Sequence, residues 1–309
     1  MRQNLLHRYH GNEQTVAQIM PLLTLDPKGQ GIRSADLIML IKGHNLNTNQ
    51  EVFAELEEFS RPDALLATQS ATVPLKNIAA AMLKPERLIG MHFCFPAHRT
   101  ELVELSYTEQ TDPQLLERAR ALLCKLHKLP LLVKNNPGLL IDRILVQYIL
   151  QGIRLNQQGV PHTVIDRAAR DFGLPNGPLE LADRMGLDYC LRVAEVLEKS
   201  FRIEIPYSLI EMVKTGKLGI KSGSGFYRYR NGNRLKPPRV DWEGSMEALQ
   251  EKLVAQITEE AALCLEEGII ENPELIDAGI IFGAGFAPFL GGPLVYQRTR
   301  NKQERQGAS

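Results

Sequence analysis

Short apolar runs alternate with amphipathic stretches along the first 133 residues, and long amphipathic stretches take over afterwards. The run Leu37-Ile38-Met39-Leu40-Ile41 follows a turn and is wholly apolar, which suits a parallel strand covered on both faces. A helix is predicted near Asn49–Leu56, a strand at Ala64–Ala67 and a helix at Leu75–Met82. Leu88-Ile89-Gly90-Met91-His92-Phe93 and Leu102-Val103-Glu104-Leu105 read as two further strands joined by a turn. A helix from about Pro113 to Leu126 and a strand at Leu129–Val133 complete the alternation, and helices follow. Such a succession reads as the second half of a doubly wound α/β sheet with an all-helical part behind it.

Composition narrows the classes of function. The chain has 309 residues, 44% hydrophobic and 23% charged, enough to bury a substantial core in two or three domains. Its 36 basic and 36 acidic residues balance, so charge gives no case for nucleic acid or an anionic membrane. No stretch approaches the roughly 18 uninterrupted apolar residues of a membrane span, and the N-terminus has no signal-peptide core, so a cytoplasmic location is expected. Cys94, Cys124, Cys190 and Cys264 are scattered without C-x-x-C spacing and read as buried thiols, with no metal site expected.

One stretch calls for chemistry. His92 and Glu104 sit on the two strands joined by a turn, the arrangement that holds a general base beside its orienting acid. The same pair also reads as a hydrogen-bonded couple that satisfies a half-buried imidazole. Gly90-Met91-His92-Phe93-Cys94-Phe95-Pro96 with Leu102-Val103-Glu104 closely resembles the pattern G-[LM]-H-F-F-N-P…L-V-E of the 3-hydroxyacyl-CoA dehydrogenases of fatty-acid β-oxidation. Three more motifs follow in order. They are Leu66-Ala67-Thr68-Gln69-Ser70-Ala71-Thr72-Val73-Pro74, Asn136-Pro137-Gly138-Leu139-Leu140-Ile141-Asp142-Arg143 and Leu218-Gly219-Ile220-Lys221-Ser222-Gly223-Ser224-Gly225-Phe226-Tyr227.

The resemblance implies oxidation of 3-hydroxyacyl-CoA to 3-ketoacyl-CoA with NAD. His92 would take the hydroxyl proton and Glu104 would hold the imidazole tautomer. It also marks departures. Ala71 stands where the family has a substrate-binding serine, Phe95 where it has an asparagine, and Asp142 where it has a second asparagine. Ser70 and Asp142 are the remaining candidates for substrate contact, although the charge of Asp142 would oppose a developing alkoxide. His44 and Asn49 replace a glutamate and a lysine of the cofactor half, and Lys221 remains as the cofactor-binding candidate. The strand, G-x-G-x-x-G turn and helix that open the family's dinucleotide domain have no counterpart, since Gly29-Gln30-Gly31 follows Pro27-Lys28 and leads toward a strand. An incomplete sheet of this kind would bare the edge beside Leu37–Ile41. Either a partner chain completes the fold, or residues 1–34, through the apolar stretch Val16–Leu25, repack over the edge.

The helical part carries an internal repeat. Ile165-Asp166, Phe172-Gly173 and Gly177-Pro178-Leu179 recur in order as Ile276-Asp277, Phe282-Gly283 and Gly292-Pro293-Leu294. Gly-Pro-Leu and the two aspartates read as helix-start chemistry. The expected organisation is therefore an incomplete Rossmann-like domain over 1–133, a first helical C-terminal domain over 134–236 and a second helical repeat over 237–309. Two such repeats resemble the multifunctional β-oxidation chains, in which the second copy occupies the place of a dimer partner. The partners this implies are an acyl-CoA substrate and a β-oxidation complex subunit or completing chain. A non-catalytic scaffold in such a complex is the alternative.

Overall fold

The computed structural model describes residues 2–307 apart from 42–44, 202 and 239, so His44 lies outside the described residues. Two short helices, α1 (Arg2–Arg8) and α2 (Glu13–Ile19), open the chain. Then come β1 (Leu37–Leu40), α3 (Leu46–Phe59), β2 (Leu65–Thr68), α4 (Leu75–Ala79), β3 (Leu88–Phe93), β4 (Leu102–Tyr107), α5 (Pro113–Lys125) and β5 (Leu129–Lys134). The five strands form one sheet in the order β1-β2-β3-β4-β5. The pairs β1/β2, β2/β3 and β4/β5 are parallel, and β3/β4 is antiparallel. The Rossmann-like α/β half expected from the alternation is therefore present.

Period-two alternation sorts the strand residues between two layers. Leu66 and Leu88 pack with Phe53 of α3 and Ile78 of α4 on one face. Leu65, Ala67, Ile89, Met91, Val103 and Leu105 pack with Leu115, Ala119 and Leu123 of α5 on the other. His92 shares the parity of Leu88, and Glu104 that of Leu102, whose side chain joins the helical core. Both therefore leave the sheet on the side away from α5.

The first apolar run forms a strand whose two faces are only partly covered, Ile38 and Leu40 packing against one layer and Leu37 and Met39 against the other. β1 is the edge of the sheet, its four residues are half-buried, and Ile41 is 63% exposed. The N-terminal stretch does not seal it. Val16 is buried, but Leu22 and Leu25 are 80% and 89% exposed. Once Pro21 and the polar turn at Asp26–Gly29 interrupt the run, it has no regular face to lay on an edge.

The helical half comprises α6 (Ile141–Gln157), α7 (His162–Phe172), α8 (Pro178–Met185), α9 (Leu187–Phe201) and α10 (Tyr207–Lys214), a hairpin of β6 (Tyr229–Arg230) and β7 (Asn233–Arg234), then α11 (Met246–Glu266), α12 (Pro273–Ala284) and α13 (Pro293–Gly307). α6 is buried along nearly its whole length and is the axis on which both repeats pack, since residues of α6 to α9 and of α11 to α13 share one core.

The repeat is visible in its caps. Asp166 of α7 accepts the Leu179 and Glu180 N–H groups at the start of α8, each at 2.9 Å, and Asp277 of α12 accepts the Leu294 N–H of α13 at 2.7 Å. The glycines before these helices permit the approach, for a Cβ at Gly177 would lie 2.2 Å from Asp166 Cβ and one at Gly292 2.4 Å from Asp277 Cβ. The sequence match is corrected at one point. The left-handed glycine that ends α12, as Gly173 ends α7, is Gly285 and not Gly283. Gly283 lies inside α12, where a Cβ would meet Leu102 and Ile141 at 2.6 and 2.7 Å, so it is glycine for close packing.

Candidate active site

His92 and Glu104 face each other directly across the antiparallel β3/β4 pair. Cross-strand neighbours of this kind lie within side-chain reach. Their Nδ1 and Oε2 atoms are 2.8 Å apart, and both side chains are buried. The second Glu104 oxygen accepts the Leu140 and Ile141 N–H groups at 2.8 and 3.2 Å, at the start of α6. A helix N-terminus is a natural seat for a carboxylate, because its N–H groups have no partner within the helix. The turn Pro137-Gly138-Leu139, with positive φ at Gly138 and Leu139, brings that helix start over the sheet, and the Gly138 N–H donates to the Ala71 carbonyl.

Asp142, in the first turn of α6, brings a second carboxylate to the histidine. Its Oδ2 lies 3.6 Å from His92 Nε2 and accepts a short hydrogen bond from the Tyr189 hydroxyl of α9. Burial raises the pKa of Asp142 above the usual carboxylate range. Burial also opposes a charged His92. Burial is the largest single influence, but Asp142, Cys94 and Glu104 together outweigh it and hold the imidazole well above its ordinary pKa. Burial pushes the Cys94 thiol up to about 11. The donor atoms of His92, Cys94 and Glu104 lie within 4.8 Å of one another. Both Glu104 oxygens already accept N–H groups, so a cation there would have to displace an existing partner.

A cavity of about 240 Å³ opens beside this group, lined by Ser70, His92, Phe95, Asp142 and Tyr189 with apolar neighbours such as Met185. The structure thus gathers four of the five sequence candidates, His92, Glu104, Asp142 and Ser70. The Ser70 hydroxyl oxygen, however, accepts the Thr72 and Val73 N–H groups at 3.3 and 3.1 Å and so holds its own turn. Lys221 is elsewhere. Its Nζ pairs with Asp188 at the start of α9, and it does not line the cavity. Sequence reasoning missed Tyr189, which sits 47 positions from its partner and carries no local signal. It also took Cys94 for an ordinary thiol, although its place two residues after His92 was the available clue.

A dinucleotide fits only part of what is present. The cavity opens where the sheet strands β2 and β3 end, the usual place for the reacting ring. Among the described residues no strand, glycine turn and α-helix precede β1. The Gly29–Gly31 turn leads into a 3-10 turn, and its Gly31 N–H donates to Asp26 Oδ2 at 2.6 Å. The Gly31 and Gln30 N–H groups hold the Asp26 carboxyl below its usual range, so this nest already contains an anion. The described residues do not fit a pyrophosphate.

Residues 2–136 match the family model of the 3-hydroxyacyl-CoA dehydrogenase NAD binding domain, and residues 138–229 match that of the C-terminal domain. The chain belongs to the 3-hydroxyacyl-CoA dehydrogenase family. Among curated proteins it is 33% identical over 303 residues to the fatty acid oxidation complex subunit alpha of Shewanella loihica, covering 94% of this chain and 43% of that one. It is 32% identical over 305 residues to the subunit of Shewanella amazonensis, with the same coverage. The chain thus spans less than half the length of these relatives. Among solved structures, the (S)-3-hydroxybutyryl-CoA dehydrogenase of Ralstonia eutropha matches with TM-score 0.66 and 28% identity over 74% of this chain and 83% of that one. The 3-hydroxybutyryl-CoA dehydrogenase of Escherichia coli K12 matches with TM-score 0.81 over 99% of this chain and 86% of that one, and at 22% identity it shows the shared fold. Among the described residues no helix is long and apolar enough to cross a membrane.

Proposed function

We propose that the chain performs the substrate and proton-transfer part of 3-hydroxyacyl-CoA dehydrogenase chemistry, on an acyl-CoA bound in the cavity beside His92. The observation that carries this reading is the buried Glu104–His92 pair at the wall of that cavity. Burying a histidine with two carboxylates costs stability unless each is partnered, and a pure scaffold gains nothing from the expense. In this reading His92 exchanges a proton with the oxygen at C3 of the acyl group, and Glu104 fixes the ring by accepting from Nδ1. Asp142 and Ser70 face the substrate, and Phe95 forms an apolar wall where the family carries an asparagine. NAD, when bound, takes up or supplies the hydride. Its pyrophosphate cradle is not among the described residues, and Lys221 is the candidate contact this chain offers it. The organisation into 1–133, 134–236 and 237–309, a cytoplasmic location and membership of a β-oxidation complex belong to the same proposal.

The test is a titration of the purified chain with NADH by fluorescence, joined to an assay of acetoacetyl-CoA reduction. The expected result is acetoacetyl-CoA binding that persists in His92→Ala, with whatever reduction the chain supports abolished by that substitution. Folded protein that neither binds nor reduces acetoacetyl-CoA would overturn the reading.

A further inference from the structure

Every nitrogen of the His92 ring faces a carboxylate. Glu104 Oε2 lies 2.8 Å from Nδ1, and Asp142 Oδ2 lies 3.6 Å from Nε2. A neutral imidazole has one N–H and one lone pair, so in the neutral ring one of these carboxylates would face a lone pair. A doubly protonated ring meets both with donors. The surrounding groups favour that state. The Asp142 carboxylate accepts from Tyr189 OH, and Glu104 Oε1 accepts the Leu140 and Ile141 N–H groups, which leaves Oε2 to the ring. The titratable groups facing His92 are Glu104 from β4, Asp142 from α6, Tyr189 beyond it on α9, and Cys94 just past the end of its own strand. Burial keeps the thiol and the phenol in their neutral forms at ordinary pH.

We propose that Asp142 holds His92 as an imidazolium, so that the resting site is loaded with a proton and serves the carbonyl-to-hydroxyl direction, reduction of a 3-oxoacyl thioester. The substrate class rests on the reading above, whereas the charge state does not. In that direction the Nε2–H bond breaks and an O–H bond forms on the C3 oxygen. The carbonyl π pair moves to that oxygen, and the carbon would take its hydride from a separately supplied reductant of the reduced-nicotinamide class, which the described residues do not cradle. The ring is left neutral and recovers its proton from water. The reverse reaction needs a neutral His92 and is displaced to alkaline pH. Asp142 is a positioning residue in this scheme, acting through His92, and an asparagine there would leave the ring free to lose its proton.

The test is a pH titration of the full chain labelled with ¹⁵N in its histidine rings, with His92→Gln identifying the signal. The expected wild-type spectrum at about pH 7.5 shows both His92 nitrogens protonated. In Asp142→Asn the midpoint falls by about one pH unit or more, a tenfold change in the proton equilibrium. A neutral His92 in the wild-type spectrum overturns the proposal without any variant, and so does an unchanged midpoint in folded Asp142→Asn. Rates in both directions separate this from the reading it rests on. An imidazolium signal with no turnover of acetoacetyl-CoA or 3-hydroxybutyryl-CoA, by wild type or Asp142→Asn, overturns the dehydrogenase reading and the direction while leaving the charge state. Turnover with a neutral His92 overturns the charge state alone. With both intact, Asp142→Asn lowers the pH at which oxidation begins.

Discussion

In the first helical repeat Asp166 receives two N–H groups from α8 and the Tyr227 hydroxyl at 2.7 Å, whereas in the second the donors to Asp277 come from the start of α13. The same short pattern, aspartate followed by Gly-Pro-Leu, thus ties three segments together in one copy and two in the other. The difference follows from position. The first copy supplies α6, whose start seats Glu104 and carries Asp142, and the second braces α6 from outside. Arg143, the neighbour of Asp142, is fully buried, forks onto Glu267 of the second repeat at 2.5 and 2.9 Å, makes a short contact with Glu260 and lies 3.8 Å from the centre of the Phe201 ring. Equal sequence signatures therefore serve unequal ends, one copy building the site and the other holding it still.

The largest expected effect comes from breaking that brace. Arg143→Leu leaves Glu260 buried without its cation and should cost about 3–5 kcal/mol in urea unfolding. A loss below about 1 kcal/mol would mean that the second repeat does not brace α6 through this network. Next come the two glycines. Alanine at either position forces a Cβ into the capping aspartate, and Gly292 has φ of 102° in addition. Gly292→Ala should lose about 3 kcal/mol and Gly177→Ala about 2 kcal/mol, and the reverse order in melting experiments would show that backbone strain is not the deciding term. The aspartates sharpen the comparison directly. Asp166→Ala should cost about 2–3 kcal/mol and Asp277→Ala about 1 kcal/mol, so equal losses would erase the asymmetry described above.

The smallest effect is on pH dependence. Burial raises Asp166 and Asp183 to about 6 in the folded chain, above the unfolded value near 3.8. An acid whose folded pKa is raised binds more protons folded than unfolded between those values. Stability from these groups is present at about pH 4 and falls as pH rises through about 6. Asp166→Asn removes one of the two contributions, so its unfolding free energy should decline less steeply between about pH 4 and 6 than that of the wild type. Parallel curves would show that Asp166 titrates normally.

Much of this was legible from residues alone because the signals were local. Five strands and their intervening helices follow from short apolar runs alternating with amphipathic stretches, although α3, capped by Asn45, starts at Leu46 ahead of the expected Asn49. The facing of His92 and Glu104 follows from two strands joined by a short turn, since antiparallel pairing puts matched residues side by side. Where the reading went astray, the cause was tertiary. Gly283 was matched to Gly173 by its neighbouring phenylalanine, but α12 runs on past it, because Leu102 and Ile141 leave room there only for a glycine. Lys221 lies in a strong motif, yet its nearest anion is Asp188, beside Gly186, and not the cavity.

By itself, the sequence determined the order of elements, the family, the repeat and the histidine–glutamate couple, because each is written in spacings of a few residues or in motifs kept in order. Tertiary structure alone decided what surrounds the couple. Asp142 meets His92 because the Gly138–Leu139 turn swings α6 over the sheet, and Tyr189 meets Asp142 because α9 packs on α6. Those contacts join positions tens of residues apart through the packing of a shared core, and no local pattern of hydrophobic and polar residues encodes them.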